Sequence, residues 1–338
     1  MRINFFEVSP DERPFLKKLR LPGATIALFE KPMHEAPASD LKGTDVASVF
    51  IYSKVDKGTL SKSPKLRFVA TRSTGFDHID LATCEQRRIA VSNVPYYGEN
   101  TVAEHTFALI LALSRKVHQA HVRAQRGDFS FDGLMGFDLK GKSIGVVGTG
   151  HIGLHVIRIA KGFGMRVVGF DVFPNHFMAE TLGFDYVAFD DLLGHSDIIS
   201  LHAPYRKETH HLINKDNIKK IKRGALLINT ARGGLVESGA LVQALDEGIL
   251  GGAGLDVLEG EDLIKEERQI LTQDFPADRM KMMLQNHILM NRENVVLTPH
   301  IAFNSREAAQ RILDTTVSNI QAFLAARVEN AVKSPAKK

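Results

Sequence analysis

Six residues, Gly148-Thr-Gly150-His-Ile-Gly153, constrain the fold of this chain more than any others. They follow an apolar run, Ser143–Val147, and open a stretch with Ile152, Val156, Ile159 and Ala160 at helical spacing. Strand, tight glycine turn and helix in that order form a dinucleotide site. The first glycine makes the turn, the second lets a pyrophosphate approach the backbone, and the third lets the helix sit close on the strand. The free N–H groups at the helix N-terminus then meet the phosphates, which assigns Gly148, Gly150 and Gly153 to the cofactor. The next apolar run, Arg166–Phe170, ends in Asp171, 18 residues past Gly153. An acid there accepts both ribose hydroxyls and repels a 2′-phosphate. No Arg or Lys stands in Val172–Met178 to neutralise such a phosphate, so the expected cofactor is NAD rather than NADP.

The rest of the chain fits that start. At 338 residues there is room for about two domains. Candidate strands at Arg2–Phe6, Thr25–Phe29, Ala47–Tyr52, Arg67–Thr71 and Ala90–Asn93 alternate with helical stretches, as in βαβ units with a parallel sheet. Val102–Lys116 reads as a long apolar helix and is expected to pack in a subunit interface. A second series follows: Ser143–Val147, Arg166–Phe170, Ile198–Leu201, Ala225–Ile228, Gly252–Leu255 and Val295–Leu297. Asn304–Arg327 reads as a helix that carries the chain back to the first domain. The expectation is an α/β protein of two doubly wound parallel sheets, Rossmann-like and flavodoxin-like. A discontinuous substrate domain (1–101 plus 305–338) surrounds a nucleotide domain (102–304), with hinges near Thr101 and Asn304.

Composition narrows the classes. The +4 charge is small and scattered, and the basic tail Lys333–Lys338 reads as a solvated end, so no nucleic-acid partner is expected. The longest apolar run, Phe107–Leu113, falls far short of the ~20 residues that cross a bilayer. The N-terminus lacks a signal-peptide pattern, and Cys84, the only cysteine, forbids an internal disulfide; a cytoplasmic protein is expected.

Three later segments put polar residues just past buried strands, where open α/β sheets bind ligands. They are Asn229-Thr-Ala-Arg232-Gly-Gly, Asp256-Val-Leu-Glu-Gly-Glu261 and Thr298-Pro-His300-Ile-Ala-Phe303. The planar fork of an Arg suits a substrate carboxylate and polarises a carbonyl. A His moves a proton near neutral pH, and a carboxylate orients its ring.

Together with Arg72-Ser-Thr-Gly-Phe-Asp-His-Ile-Asp80 and Val94-Pro-Tyr-Tyr-Gly-Glu-Asn-Thr-Val-Ala-Glu-His105, these segments resemble the D-isomer-specific 2-hydroxyacid dehydrogenase family, in matching order over nearly the whole chain. Within it the D-lactate dehydrogenases are most similar. The resemblance implies hydride exchange at C2 of a small 2-keto or 2-hydroxy acid, closure of two domains over NAD and substrate, and a homodimer. It implies Arg232, Glu261 and His300 as the catalytic set, and Thr74 and Gly75 as the loop whose amides hold the substrate carboxylate. It adds His151 and Ile152 to the cofactor site as the phosphate-contacting pair, and places Ala203 and Pro204 under the cofactor, Thr230, Ala231 and Arg232 around the nicotinamide, and Asp256 near its carboxamide. Tyr52, Tyr97 and Phe303 match apolar pocket residues of the lactate-type enzymes.

Departures are visible. His151 stands where many members carry Arg, Gly98-Glu99 replaces the usual Ser-Pro, and 39 positions separate Glu261 from His300. That spacing suits the lactate-type pattern; the extra stretch Asp262–Arg292 is helical in pattern with no catalytic signature. No metal site is expected. Asp77 with His78, and His118 with His121, lack a third ligand, while His202, His210 and His211 read as structural or solvent-facing. Rival readings are a relative acting on hydroxyisocaproate, glycerate or glyoxylate, and an NAD-sensing corepressor of the same fold.

Overall fold

The computed structural model describes residues 1–261 and 276–332. Two compact units are formed, one from Met1–Tyr97 with the chain from Asn304 on, the other from Gly98–Phe303.

In the first unit, β1 (Arg2–Phe5), β2 (Thr25–Leu28), β3 (Val46–Val49), β4 (Phe68–Thr71) and β5 (Ala90–Ser92) form a parallel sheet ordered β2-β1-β3-β4-β5, the flavodoxin-like arrangement. The period-2 alternation of strand side chains feeds two cores. Ile3, Phe5 and Phe68 face one, with Leu16, Leu313 and Ile320. Phe6, Val49 and Val69 face the other, with Leu41, Leu60 and Ile89. Each such burial stabilises by about 1.5–3 kcal/mol. The returning helix, Arg306–Leu324, starts where the Ser305 hydroxyl accepts the Ala308 N–H, and stacks Phe323 on Phe68 at 4.5 Å.

In the second unit, β6 (Ser143–Val147), β7 (Arg166–Phe170), β8 (Asp185–Tyr186), β9 (Ile198–Leu201), β10 (Ala225–Asn229), β11 (Leu250–Leu255) and β12 (Val295–Leu297) are also parallel. Their order is β12-β11-β10-β9-β6-β7-β8. The chain winds one way from β6 through β7 to β8, then the other way from β9 to β12. That puts the topological switch point, where such sheets bind nucleotides, between β6 and β9.

The fold corrects three expectations. The helix at residues 99–114 (Glu99–Ser114) buries Phe107, Leu109, Ile110 and Leu113 in the core of its own unit, with Ile144, Leu226 and Ile228, so those four side chains serve that core and not a partner subunit. The strand expected at Ala47–Tyr52 stops at Val49. Beyond it the Glu7 carboxylate accepts the N–H groups of Phe50 (2.9 Å) and Tyr52 (2.8 Å) and the Ser53 hydroxyl, which bends the chain into a loop. A seventh strand, β8, is two residues long with no alternation to betray it. Of the 262–292 stretch, residues 277–290 form a helix; residues 262–275, like the basic tail, lie outside the described residues.

Candidate active site

The cofactor loop is built by close approach. Gly148 takes φ 91°, and a side chain there would put its Cβ 2.6 Å from the Ala203 nitrogen, so the glycine turn rests directly on the Ala203-Pro204 segment after β9. At Gly153 a Cβ would lie 2.1 Å from the Gly148 carbonyl oxygen, so only glycine lets the helix sit this near the turn. Gly150, by contrast, opens onto space, with nothing within 4 Å of where its Cβ would be. It is the N-cap of the helix His151–Gly162 and contributes no side chain to satisfy the first-turn amides. A pyrophosphate fits there, so the loop suits NAD, and the amides of His151, Ile152 and Gly153 are the groups that would hold it.

Asp171 is aimed by three donors: the Thr149 N–H (2.7 Å) and hydroxyl (3.2 Å) on one oxygen, and the Phe173 N–H (2.9 Å) on the other. The Thr149 hydroxyl in turn meets the Tyr186 hydroxyl at 2.7 Å. Sequence reasoning missed Thr149 and Tyr186. The only signal was the x of the glycine motif, and Tyr186 lies on the unrecognised β8.

The proposed catalytic residues all follow strand ends of this sheet. Asn229, buried at the end of β10, shapes the first loop: its side chain accepts the Ala231 N–H (3.1 Å) and donates to the Arg232 carbonyl (2.9 Å). Arg232 is partly exposed, and its guanidinium donates to the Ala231 carbonyl at 2.7 Å. The Thr230 hydroxyl pairs with that of Thr106 at 3.0 Å.

His300 takes φ 55°, a left-handed conformation that a residue with a side chain adopts only when its surroundings enforce it. Asp256 supplies much of that enforcement. Its backbone carbonyl accepts the His300 N–H (2.9 Å), and its carboxylate, 1% exposed, accepts the N–H groups of Ile301 (2.9 Å) and Ala302 (2.8 Å) and the Thr298 hydroxyl. His105 reaches the same hydroxyl at 2.9 Å. The Asp256 carboxylate thus braces the turn of the histidine from within the fold. The turn aims the ring so that Nδ1 lies 2.8 Å from Glu261 Oε1. A carboxylate on Nδ1 fixes the tautomer and leaves Nε2 for chemistry.

In the first unit, Thr74 and Gly75 sit on a loop tied at several points. The Thr74 hydroxyl donates to the Val94 carbonyl (2.8 Å), Asn93 to the Thr74 carbonyl (2.8 Å), and Ser73 to the Gly75 carbonyl (2.6 Å). Tyr52 projects from the loop held by Glu7 and is 41% exposed, and the Tyr97 carbonyl accepts from Arg311 at 2.7 Å. Phe303, in the second unit, is half-buried. Burial pushes the Cys84 thiol up to about 11, which leaves it inert at neutral pH. His210 and His211, set aside on sequence, converge with Glu259, a partner 48 positions beyond His211 that no local spacing could reveal.

Residues 107–302 match the family described as D-isomer specific 2-hydroxyacid dehydrogenase, NAD binding domain. The D-lactate dehydrogenase of Escherichia coli K12 is 33% identical over 95% of this chain and 96% of its own length. An aromatic 2-oxoacid reductase of Clostridium sporogenes is 34% identical over 96% of each chain. The crystal structure of the D-lactate dehydrogenase of Aquifex aeolicus, complexed with NAD and lactic acid, superposes with a TM-score of 0.86 at 36% identity, over 99% of this chain and 100% of that one.

Proposed function

We propose that this chain, which belongs to the D-isomer-specific 2-hydroxyacid dehydrogenase family and is an NAD-dependent oxidoreductase, acts as a D-lactate dehydrogenase interconverting pyruvate and D-lactate. The observation that carries this reading is the His300–Glu261 contact at 2.8 Å, held on a left-handed turn at a strand end. The nicotinamide supplies a hydride to C2 of the keto acid. His300 delivers the proton that the carbonyl oxygen then needs, through Nε2, while Glu261 holds the ring by its other nitrogen. Arg232 offers its planar fork to the carboxylate and carbonyl oxygens. By the family resemblance, the Thr74 and Gly75 amides give the carboxylate a second anchor. Asp171 takes the ribose, Ala203, Pro204, Thr230 and Ala231 line the cofactor, and Asp256, near the carboxamide by the same resemblance, also braces the turn of His300.

The C3 group is the part of the substrate left to vary. By the same resemblance Tyr52, Tyr97 and Phe303 wall it, and three aromatics around a small volume favour a methyl. Apolar walls discriminate weakly, about 1–3 kcal/mol per methylene, and the similarity to an aromatic 2-oxoacid reductase makes phenylpyruvate the sharpest rival. The test is kcat/KM with NADH across pyruvate, 2-ketobutyrate, 2-ketoisocaproate, phenylpyruvate and glyoxylate. Pyruvate is expected to lead. A tenfold advantage of 2-ketoisocaproate or phenylpyruvate, about 1.4 kcal/mol in transition-state binding, would overturn the lactate assignment and leave the family standing. We also propose a homodimer in the cytoplasm. Phe129, Phe131 and Met135, exposed beside a helix (Val117–Gln125) that buries none of its residues, are suited to a partner subunit.

A further inference from the structure

His210 and His211 are consecutive residues in the connection between β9 and β10. Neighbouring side chains on an extended chain point apart. Here His211 takes φ 51°, and the two rings lie on the same side, stacked with centroids 3.8 Å apart and planes 26° from parallel. Each imidazole has an oxygen partner. The Tyr205 hydroxyl meets His210 Nδ1 at 3.1 Å, with the Tyr205 ring edge-on to that of His210 and close against Gly234. Glu259, from the turn after β11, brings Oε1 to within 2.5 Å of His211 Nε2.

Glu259 is itself held firmly. Its Oε2 accepts the Ser238 N–H (3.2 Å) and hydroxyl (3.1 Å), and its backbone carbonyl accepts from Asn286 (2.9 Å). One ligand atom from each of His210, His211 and Glu259 lies within 4.8 Å of the others. A plain ion pair would account for His211 and Glu259. It does not account for a second imidazole stacked on the first and steered by a tyrosine.

We propose that His210, His211 and Glu259 form a binding site for a divalent transition-metal ion of the zinc class. Two imidazoles and a carboxylate suit Zn²⁺ or Co²⁺ and not Mg²⁺ or Ca²⁺, which take oxygen ligands. The ion replaces the proton shared between His211 Nε2 and Glu259. The exposed His210 swings the short distance needed to bring all three donors to about 2.0–2.2 Å from the metal, and a fourth position stays open to water. Tyr205 on His210 and Ser238 on Glu259 are the kind of outer partners that aim metal ligands. The site does not depend on which 2-keto acid the protein takes.

The test uses the full-length, untagged protein after chelator treatment and dialysis, titrated with Co²⁺ and followed by visible absorption, and with Zn²⁺ by calorimetry. One equivalent per chain is expected, with a Zn²⁺ dissociation constant at or below ~10 μM. His210→Ala, at an exposed ring, and Glu259→Gln should each weaken it at least ~tenfold, with circular dichroism reporting that both variants fold. Binding weaker than that limit in the parent protein, or an affinity that either folded variant retains within ~threefold, would overturn the site.

Discussion

Arg72 and Arg232 follow the ends of parallel strands in two sheets of related topology, β4 and β10, and the fold treats them in opposite ways. Arg72 is fully buried. Its guanidinium donates to Glu12 (3.0 Å), the Ser48 hydroxyl (3.1 Å) and the backbone carbonyls of Phe6 (2.7 Å) and Glu7 (2.9 Å). Those bonds tie the end of β4 to the segment just after β1, to Ser48 of β3 and to Glu12. Arg232 stays partly exposed on a loop that Asn229 shapes from beneath. A buried guanidinium is tolerable only when its donors are matched, and once matched they are spent on structure. The arginine proposed to meet the substrate, Arg232, is the one the fold leaves partly exposed.

The contrast can be broken by experiment. Arg232→Met should lower kcat/KM for pyruvate about a thousandfold, ~4 kcal/mol, through loss of a charge-assisted contact, with the melting temperature nearly unchanged. A large loss of stability there would make Arg232 a structural residue like Arg72. Arg72→Met should do the reverse. Removing the partner of Glu12 and of two buried carbonyls should cost about 3 kcal/mol of unfolding free energy in denaturant melts, while turnover per folded molecule stays within ~tenfold. A stable but inactive Arg72→Met protein would move that arginine into the site.

His202 sharpens the same contrast with a smaller effect. It follows β9 and pairs with the Ser200 hydroxyl at 2.8 Å, and desolvation holds it down at about 3, well below its ordinary 6.5. The folded protein therefore binds fewer protons than the unfolded one between those values. Stability from the neutral ring is complete above pH ~6.5 and drains away as pH falls toward 3. His202→Asn should leave stability at pH 7 close to parental and flatten its decline between pH 6.5 and 4.5 in chemical melts. An unchanged acid slope in that variant would show that another group sets it.

How much was legible in the sequence follows from the range of the interactions. Gly148, Gly150 and Gly153 were readable because turn, phosphate approach and helix packing are solved within six residues, and the fold places each glycine where that local physics requires. The strands were readable where apolar runs were long, and illegible at β8, which has two residues, and past Val49, where Glu7 overrides a β-prone Phe-Ile-Tyr run. The apolar helix at residues 99–114 was correctly seen as buried, but periodicity cannot say against what, and it packs on its own sheet.

The sequence by itself determined the βαβ alternation, the dinucleotide turn and the acid that follows it, because these rest on contacts between near neighbours along the chain. Tertiary structure alone decided which polar residues are free to act. It spent Arg72 on bracing, turned Asp256 onto the His300 loop, set Glu261 2.8 Å from His300 across 39 positions, and brought Glu259 to a pair of histidines. A charge becomes a strut or a reagent according to the donors and acceptors that folding delivers to it, and those come from segments too distant in sequence for any local pattern to foretell.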